Sequence, residues 1–107
     1  MPKFLIKATY QTDGARGLLK EGGTKRRAAV QKIVEAAGGK VEAFYYAYGE
    51  DDAFIIMDLP DVASGLAISL AVNASGSVRC STVPLITPEE VDAASKKSVK
   101  YRAPGAK

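Results

Sequence analysis

Three clusters of side chains in this 107-residue sequence have the types and spacing for chemistry, and one common chemical group is missing. Lys25, Arg26 and Arg27 stand directly behind Glu21-Gly22-Gly23-Thr24 and are candidate anion-binding residues. If a helix starts at Thr24, these cations lie in its first turn, where the positive end of the helix dipole disfavours each by about 0.3–1 kcal/mol. A compensating anion is then expected, either an internal carboxylate from Asp13, Glu21, Glu89 or Glu90, or a bound anion or acidic partner chain. Glu50-Asp51-Asp52 is the densest acidic cluster. Its oxygens suit a hard cation, but adjacent carboxylates on one turn seldom converge. A solvated hairpin tip is the better reading, and no metal site is expected. Cys80 reads as a small buried hydrophobe rather than a reactive thiol.

The missing group is imidazole, since the sequence has no histidine. Ser-His and Cys-His nucleophile pairs, imidazole bases and imidazole metal ligands are all excluded. One cysteine cannot build a thiolate zinc site within the chain. Neither Gly-x-x-x-x-Gly-Lys-Ser/Thr nor Gly-x-Gly-x-x-Gly occurs, so phosphate-loop and dinucleotide chemistry fall away and no cofactor is expected.

The elements that must position these residues follow from periodicity and punctuation. Residues 3–9 alternate as a strand does. A turn at Asp13-Gly14, a short helical piece over 15–20 and a break at Gly22-Gly23 precede a main helix capped by Thr24. Its apolar stripe is Val30, Ile33, Val34 and Ala37, and Gly38-Gly39 ends it. Residues 40–48 and 53–59 form a hairpin across Gly49-Glu50-Asp51-Asp52. Pro60 stops the third strand, Asp61 caps a largely apolar and well-buried helix with Val62, Leu66, Ile68, Leu70 and Val72, and Gly76 closes it. Residues 78–85 make a fourth strand, and Thr87-Pro88-Glu89-Glu90 opens a short C-terminal helix with a capping box. The order β-α-β-β-α-β predicts an α+β, ferredoxin-like fold, a four-stranded antiparallel sheet with helices on one face.

Strict alternation divides this sheet into two faces. Phe4, Ile6, Ala8, Val41, Ala43, Ala47, Ile55, Met57, Val78 and Cys80 are expected against the helices. The other parity joins Leu5, Lys7 and Thr9 to Glu42, Phe44, Tyr46 and Tyr48, then Phe54, Ile56 and Asp58, then Arg79, Ser81 and Val83. A monomer rarely leaves such an aromatic patch in water. Lys7, Glu42, Phe44, Tyr46, Phe54, Asp58 and Arg79 are therefore the candidate ligand or dimer face, and the chain is expected to form at least a homodimer through it. Single-stranded RNA binders of this topology also stack bases on aromatics, but the glycine-and-aromatic ribonucleoprotein motif is absent, so nucleic acid ranks below self-association and a small-molecule ligand.

The Gly-Gly-x-Lys-Arg-Arg helix start, and the hairpin running into Leu59-Pro60-Asp61, resemble the GYD-domain family over most of residues 3–92. These are small bacterial and archaeal proteins, often stand-alone chains. The resemblance implies a ferredoxin-like domain over residues 1–95, followed by a basic tail over 96–107, and it implies no assigned activity. In the motif that names the family, glycine is followed by tyrosine and aspartate. Gly49 and Asp52 fill the first and last positions, while Asp51 stands at the tyrosine. Gly49 also has a turn reading, because a hairpin often needs positive φ. The fold further resembles the dimeric α/β barrels, among them cofactor-free monooxygenases and decarboxylating enzymes. Two functions follow as expectations: a homo-oligomer binding a small molecule between its sheets, or a cofactor-independent barrel enzyme acting on an aromatic or acidic substrate. The second would use Tyr46 as proton donor and Lys7 or Arg79 as electrostatic stabilisers.

Composition bounds the rest. The chain is 47% hydrophobic and 25% charged, ordinary values for one globular domain. Its formal charge of +3 resides in the tail, since residues 1–95 hold 10 Lys/Arg against 12 Asp/Glu; that tail is expected to be frayed and solvated. The apolar start is broken at Lys7 and no apolar run reaches the roughly 20 residues of a membrane span, so neither a leader nor a membrane span is expected. With a single cysteine, the cytoplasm is the default address.

Overall fold

The computed structural model describes residues 1–106. Strand β1 (Lys3–Tyr10) alternates as its sequence demands, with Phe4, Ile6 and Ala8 buried between half-buried Leu5, Lys7 and Thr9. Helix α1 (Thr12–Glu21) begins earlier than the turn residues suggest, so Asp13-Gly14 lies inside its first turn. The reason is a close approach. A Cβ on Gly14 would overlap the carbonyl oxygen of Ser77, and Gln11 N–H donates to that same oxygen at 2.8 Å. Glycine lets the helix settle on the turn that follows α3.

Helix α2 (Gly23–Ala36) is capped by Gly22, not by Thr24, which lies inside the first turn. Gly22 at φ 87° closes α1 and opens α2 in one residue, a left-handed corner that costs glycine little. The helix ends as expected, with Gly39 N–H reaching Val34 O at 3.0 Å and Gly38 N–H reaching Glu35 O at 2.9 Å, the paired bonds of a Schellman motif. Strands β2 (Lys40–Tyr46) and β3 (Ala53–Asp58), helix α3 (Val62–Ser75), strand β4 (Val78–Leu85) and helix α4 (Pro88–Ser95) complete the chain.

All strand pairs are antiparallel in the order β2-β3-β1-β4, which is the ferredoxin-like arrangement. The core lies between the sheet and the helices: Phe4, Ile6, Val34, Ile55, Met57 and Leu59 form one cluster, Ala8, Ala53 and Val78 a second. Asp61 caps α3 by accepting from both Ser64 N–H and Ser64 Oγ at 2.7 Å. Contrary to expectation, α3 is not well buried. Ile68 and Val72 meet the core, whereas Val62, Leu66 and Leu70 are 69%, 57% and 61% exposed. An all-round apolar helix is normally enclosed on every side; here the sheet covers only one.

Candidate functional site

A β-bulge decides which side chains meet. Along β2 and β3, Val41 lies opposite Met57, but the next pairs are Ala43 with Ile56, Phe44 with Ile55 and Tyr46 with Ala53. Glu42 is the extra residue, and it inverts the alternation beyond it. Phe44 and Tyr46 therefore face the helices, while Ala43 and Tyr45 take the open face, the reverse of strict alternation. Phe44 packs on the main core cluster and meets Tyr46 edge-on, with ring centroids 5.1 Å apart. Tyr46 Oη donates to Gly23 O at 3.0 Å, tying β2 to the start of α2. Its pKa is pushed up to about 12, by burial first and by Tyr10 nearby, against the pull of Arg26 and Arg27.

The other five candidates do share the open face. Glu42 and Asp58 receive Lys3 Nζ, the latter at 2.9 Å, and the two carboxylates, Glu42 before Asp58, hold the Lys3 ammonium above its usual pKa. Lys3 has the parity of Lys7 and lies opposite Asp58 in register, the sequence signal that places it on this face. Lys7 and Arg79 line a polar depression of about 320 Å³ with Thr9, Gln11, Asp51 and Ser81. Half-buried Leu5, Phe54 and Ile56 lie between the two polar ends. Tyr46 is thus across the sheet from Lys7 and Arg79, and the three cannot act on one substrate within a chain. A phenol at about 12 is also a weaker acid than an ordinary tyrosine.

The larger cavity is on the helix side. Because α1 and α2 stand apart from α3, a cleft of about 670 Å³ opens between them onto the sheet, within the size range of small-molecule sites. Its walls are mostly apolar, with Leu18, Ile33, Ala67, Ile68 and Val72 among them. Asp13 and Glu21 lie exposed at its rim. Tyr10 and Arg26 also reach the small void of about 50 Å³ beneath it. Arg26 Nε is buried with no hydrogen-bond partner, and among the described residues Lys3 supplies the only ion pairs. The internal carboxylate expected for the cationic run is therefore not there. The corner at Gly22 brings the carbonyl end of α1 to the amide end of α2, which partly offsets the unfavourable charges. The run itself splits: Arg26 enters the cleft, Arg27 lines a separate dish of about 280 Å³ with Phe44 and Tyr46, and Lys25 is exposed.

The hairpin turn does structural work. Asp52 Oδ2 accepts Tyr10 N–H at 2.8 Å, Asp52 N–H donates to Ala8 O at 2.8 Å, and Asp52 O accepts Ala47 N–H at 2.7 Å. Asp51 Oδ1 lies 3.4 Å from Thr9 Oγ1. Asp51 and Asp52 thus attend to the end of β1. Gly49 is not among the glycines with positive φ, and a Cβ there would meet open space, so the turn does not require it sterically.

The family model described as the GYD domain matches residues 4–95. The chain belongs to the GYD-domain family. Comparison with curated proteins and with solved structures gave no match. Within this GYD domain, the Asp52 carboxylate latches the hairpin to β1. Among the described residues no group of three or more Cys, Asp or Glu side chains is placed to hold a metal ion, and no helix is long and apolar enough to cross a membrane.

Proposed function

We propose that this GYD-domain protein is a homo-oligomer, at least a dimer through its open sheet face, that binds a small apolar molecule carrying a carboxylate or similar oxyanion. The observation that carries the ligand is the cleft between the helices, lined by Arg26, whose Nε is buried without a partner. Apolar walls supply affinity at about 25 cal/mol per Å² buried. A guanidinium in such surroundings gives a charge-assisted bond whose alternative is an unmade one. Asp13 and Glu21 remain at the hydrated rim, where charge counts for less. This reading moves the ligand from between the sheets to the helix side of each chain and leaves the open sheet face for self-association. The lone, half-buried Cys80 agrees with a cytoplasmic setting.

Isothermal titration with decanoate and decanol tests the ligand. The expectation is saturable binding of decanoate near one per chain, weaker binding of decanol, and loss of that preference in Arg26→Met. Equal binding of the two probes by both proteins would remove the anion from the reading, and binding of neither would remove the cleft.

A further inference from the structure

The C-terminal arm is built to pack, yet it packs on nothing in its own chain. Thr87 and Glu90 form both halves of the capping box of α4, but none of its residues is buried, and residues 86–105 are exposed throughout. An isolated helix needs about 12–15 residues to be even marginal in water; α4 has 8. Ile86, Val91, Val99 and Tyr101 are 67%, 57%, 79% and 77% exposed. The arm stretches the protein to 59 Å and a radius of gyration of 17.2 Å, against about 13 Å for a compact domain of this length.

Charge identifies what would cover it. Lys96, Lys97, Lys100 and Arg102 follow the last carboxylate, Asp92. Their complement is Glu50-Asp51 at the hairpin tip, beside Tyr45 and Tyr48, which are 71% and 102% exposed. The two sites lie at opposite ends of the sheet. The arm departs where Leu85 pairs with Lys3, and the tip adjoins Ala8 paired with Ala53. The five steps from Lys3 to Ala8 space them by roughly 17 Å at about 3.3 Å per residue. In this structure the arm leads away from the body, is exposed throughout and, among the described residues, makes no ion pair with its own tip.

We infer that the arm is an exchanged clasp: Val91, Val99 and Tyr101 with the four cations dock on Tyr45, Tyr48, Glu50 and Asp51 of a second copy. With the two sheets opposed in direction, each arm reaches the other's tip, and the two contacts are identical by two-fold symmetry. The inference rests on α4 and the tip, not on the cleft. It gives the sheet-face pairing proposed above a direction, and the two can fail separately.

The test uses full-length chains. Lys96→Glu/Lys97→Glu/Lys100→Glu and, separately, Glu50→Lys/Asp51→Lys should each weaken self-association by at least about tenfold in sedimentation equilibrium. An equimolar mixture of the two should restore it, because each reversed arm then meets a reversed tip. Carbodiimide coupling of a mixture of isotope-labelled and unlabelled wild-type chains should join tail lysines to Glu50 or Asp51 across the two labels. Undiminished association in both variants, a mixture that stays dissociated, or couplings confined to one chain would overturn the clasp. In Phe54→Asp, which alters only the sheet face, persistence of the cross-label couplings is expected if the clasp stands without the sheet pairing.

Discussion

Arg26→Met should make the empty protein more stable while abolishing its preference for carboxylates. Methionine keeps an unbranched stem against the cleft wall and removes a donor whose Nε is buried without a partner. Leaving such a donor unmade costs about 1–3 kcal/mol. The rest of the guanidinium reaches the cleft, so the lower end applies, about 1 kcal/mol. For a domain of this size that is a rise of roughly 4–8 °C in Tm. Ligand should reverse the order. Decanoate at about 100 times its Kd stabilises the wild type by about 2.7 kcal/mol and should add little to the variant, so the wild type melts higher once the probe is present. Paired melting curves, with and without decanoate, read both effects. A variant that melts lower in the empty state would show that Arg26 is already satisfied by its own chain. Equal gains from decanoate in both proteins would show that Arg26 does not read the anion.

Three further outcomes are expected. Phe54→Asp, on the open face, should reduce the mass measured by light scattering at micromolar concentration, while Lys40→Asp at an exposed site should not; a wild type that is already monomeric would end the sheet-pairing proposal. Asp52→Ala leaves Tyr10 N–H without its 2.8 Å partner and should cost about 1–3 kcal/mol in urea denaturation, with no change in decanoate affinity; an unaltered midpoint would refute the latch. Alkali should destabilise the fold between about pH 10 and 12, because Tyr46 stays neutral up to about 12 when folded and ionises near 10 when unfolded. Lys3, held above 10.5, contributes stability that is complete below its unfolded value and is lost as pH rises through its raised one, which has the same sign. Ultraviolet titration should show a last tyrosinate phase at about 12 that Tyr46→Phe removes, and its survival in that variant would reassign it.

What the sequence revealed, and what it concealed, divides along a physical line. Caps and stops are local: Asp61, Gly76, Gly38-Gly39 and Thr87-Pro88-Glu89-Glu90 each satisfy backbone groups within a few residues, and each acts where its type suggests. The succession of elements along the chain follows from them. The bulge at Glu42 is not local, because it exists only in the register of β2 against β3. A trace of it lies in Val41 and Phe44, two apolar residues three apart that both need the core, which unbroken alternation cannot satisfy. That one residue carried Phe44 and Tyr46 across the sheet and with them the barrel-enzyme arrangement. Burial of α3 is not local either. Its apolar composition is plain, but whether a second layer encloses it depends on where α1 and α2 stand. The cleft arises from the same gap, so it could be inferred only from the packed structure.

The placement of Asp52 decides how the base of the hairpin tip is held. Its backbone and carboxylate bind β1 and the end of β2 at once, which fixes the hairpin against the central strand at the end of the sheet farthest from the arm. Asp51 is only loosely engaged by Thr9 at 3.4 Å, which leaves its carboxylate for the docking inferred above. The bonds of Asp52 fix the base of the tip that carries Tyr48, Glu50 and Asp51, and a preorganised surface spends less of its contact energy on ordering when it binds. Asp52 therefore has an architectural role, and Asp51 beside it belongs to the surface which that architecture displays.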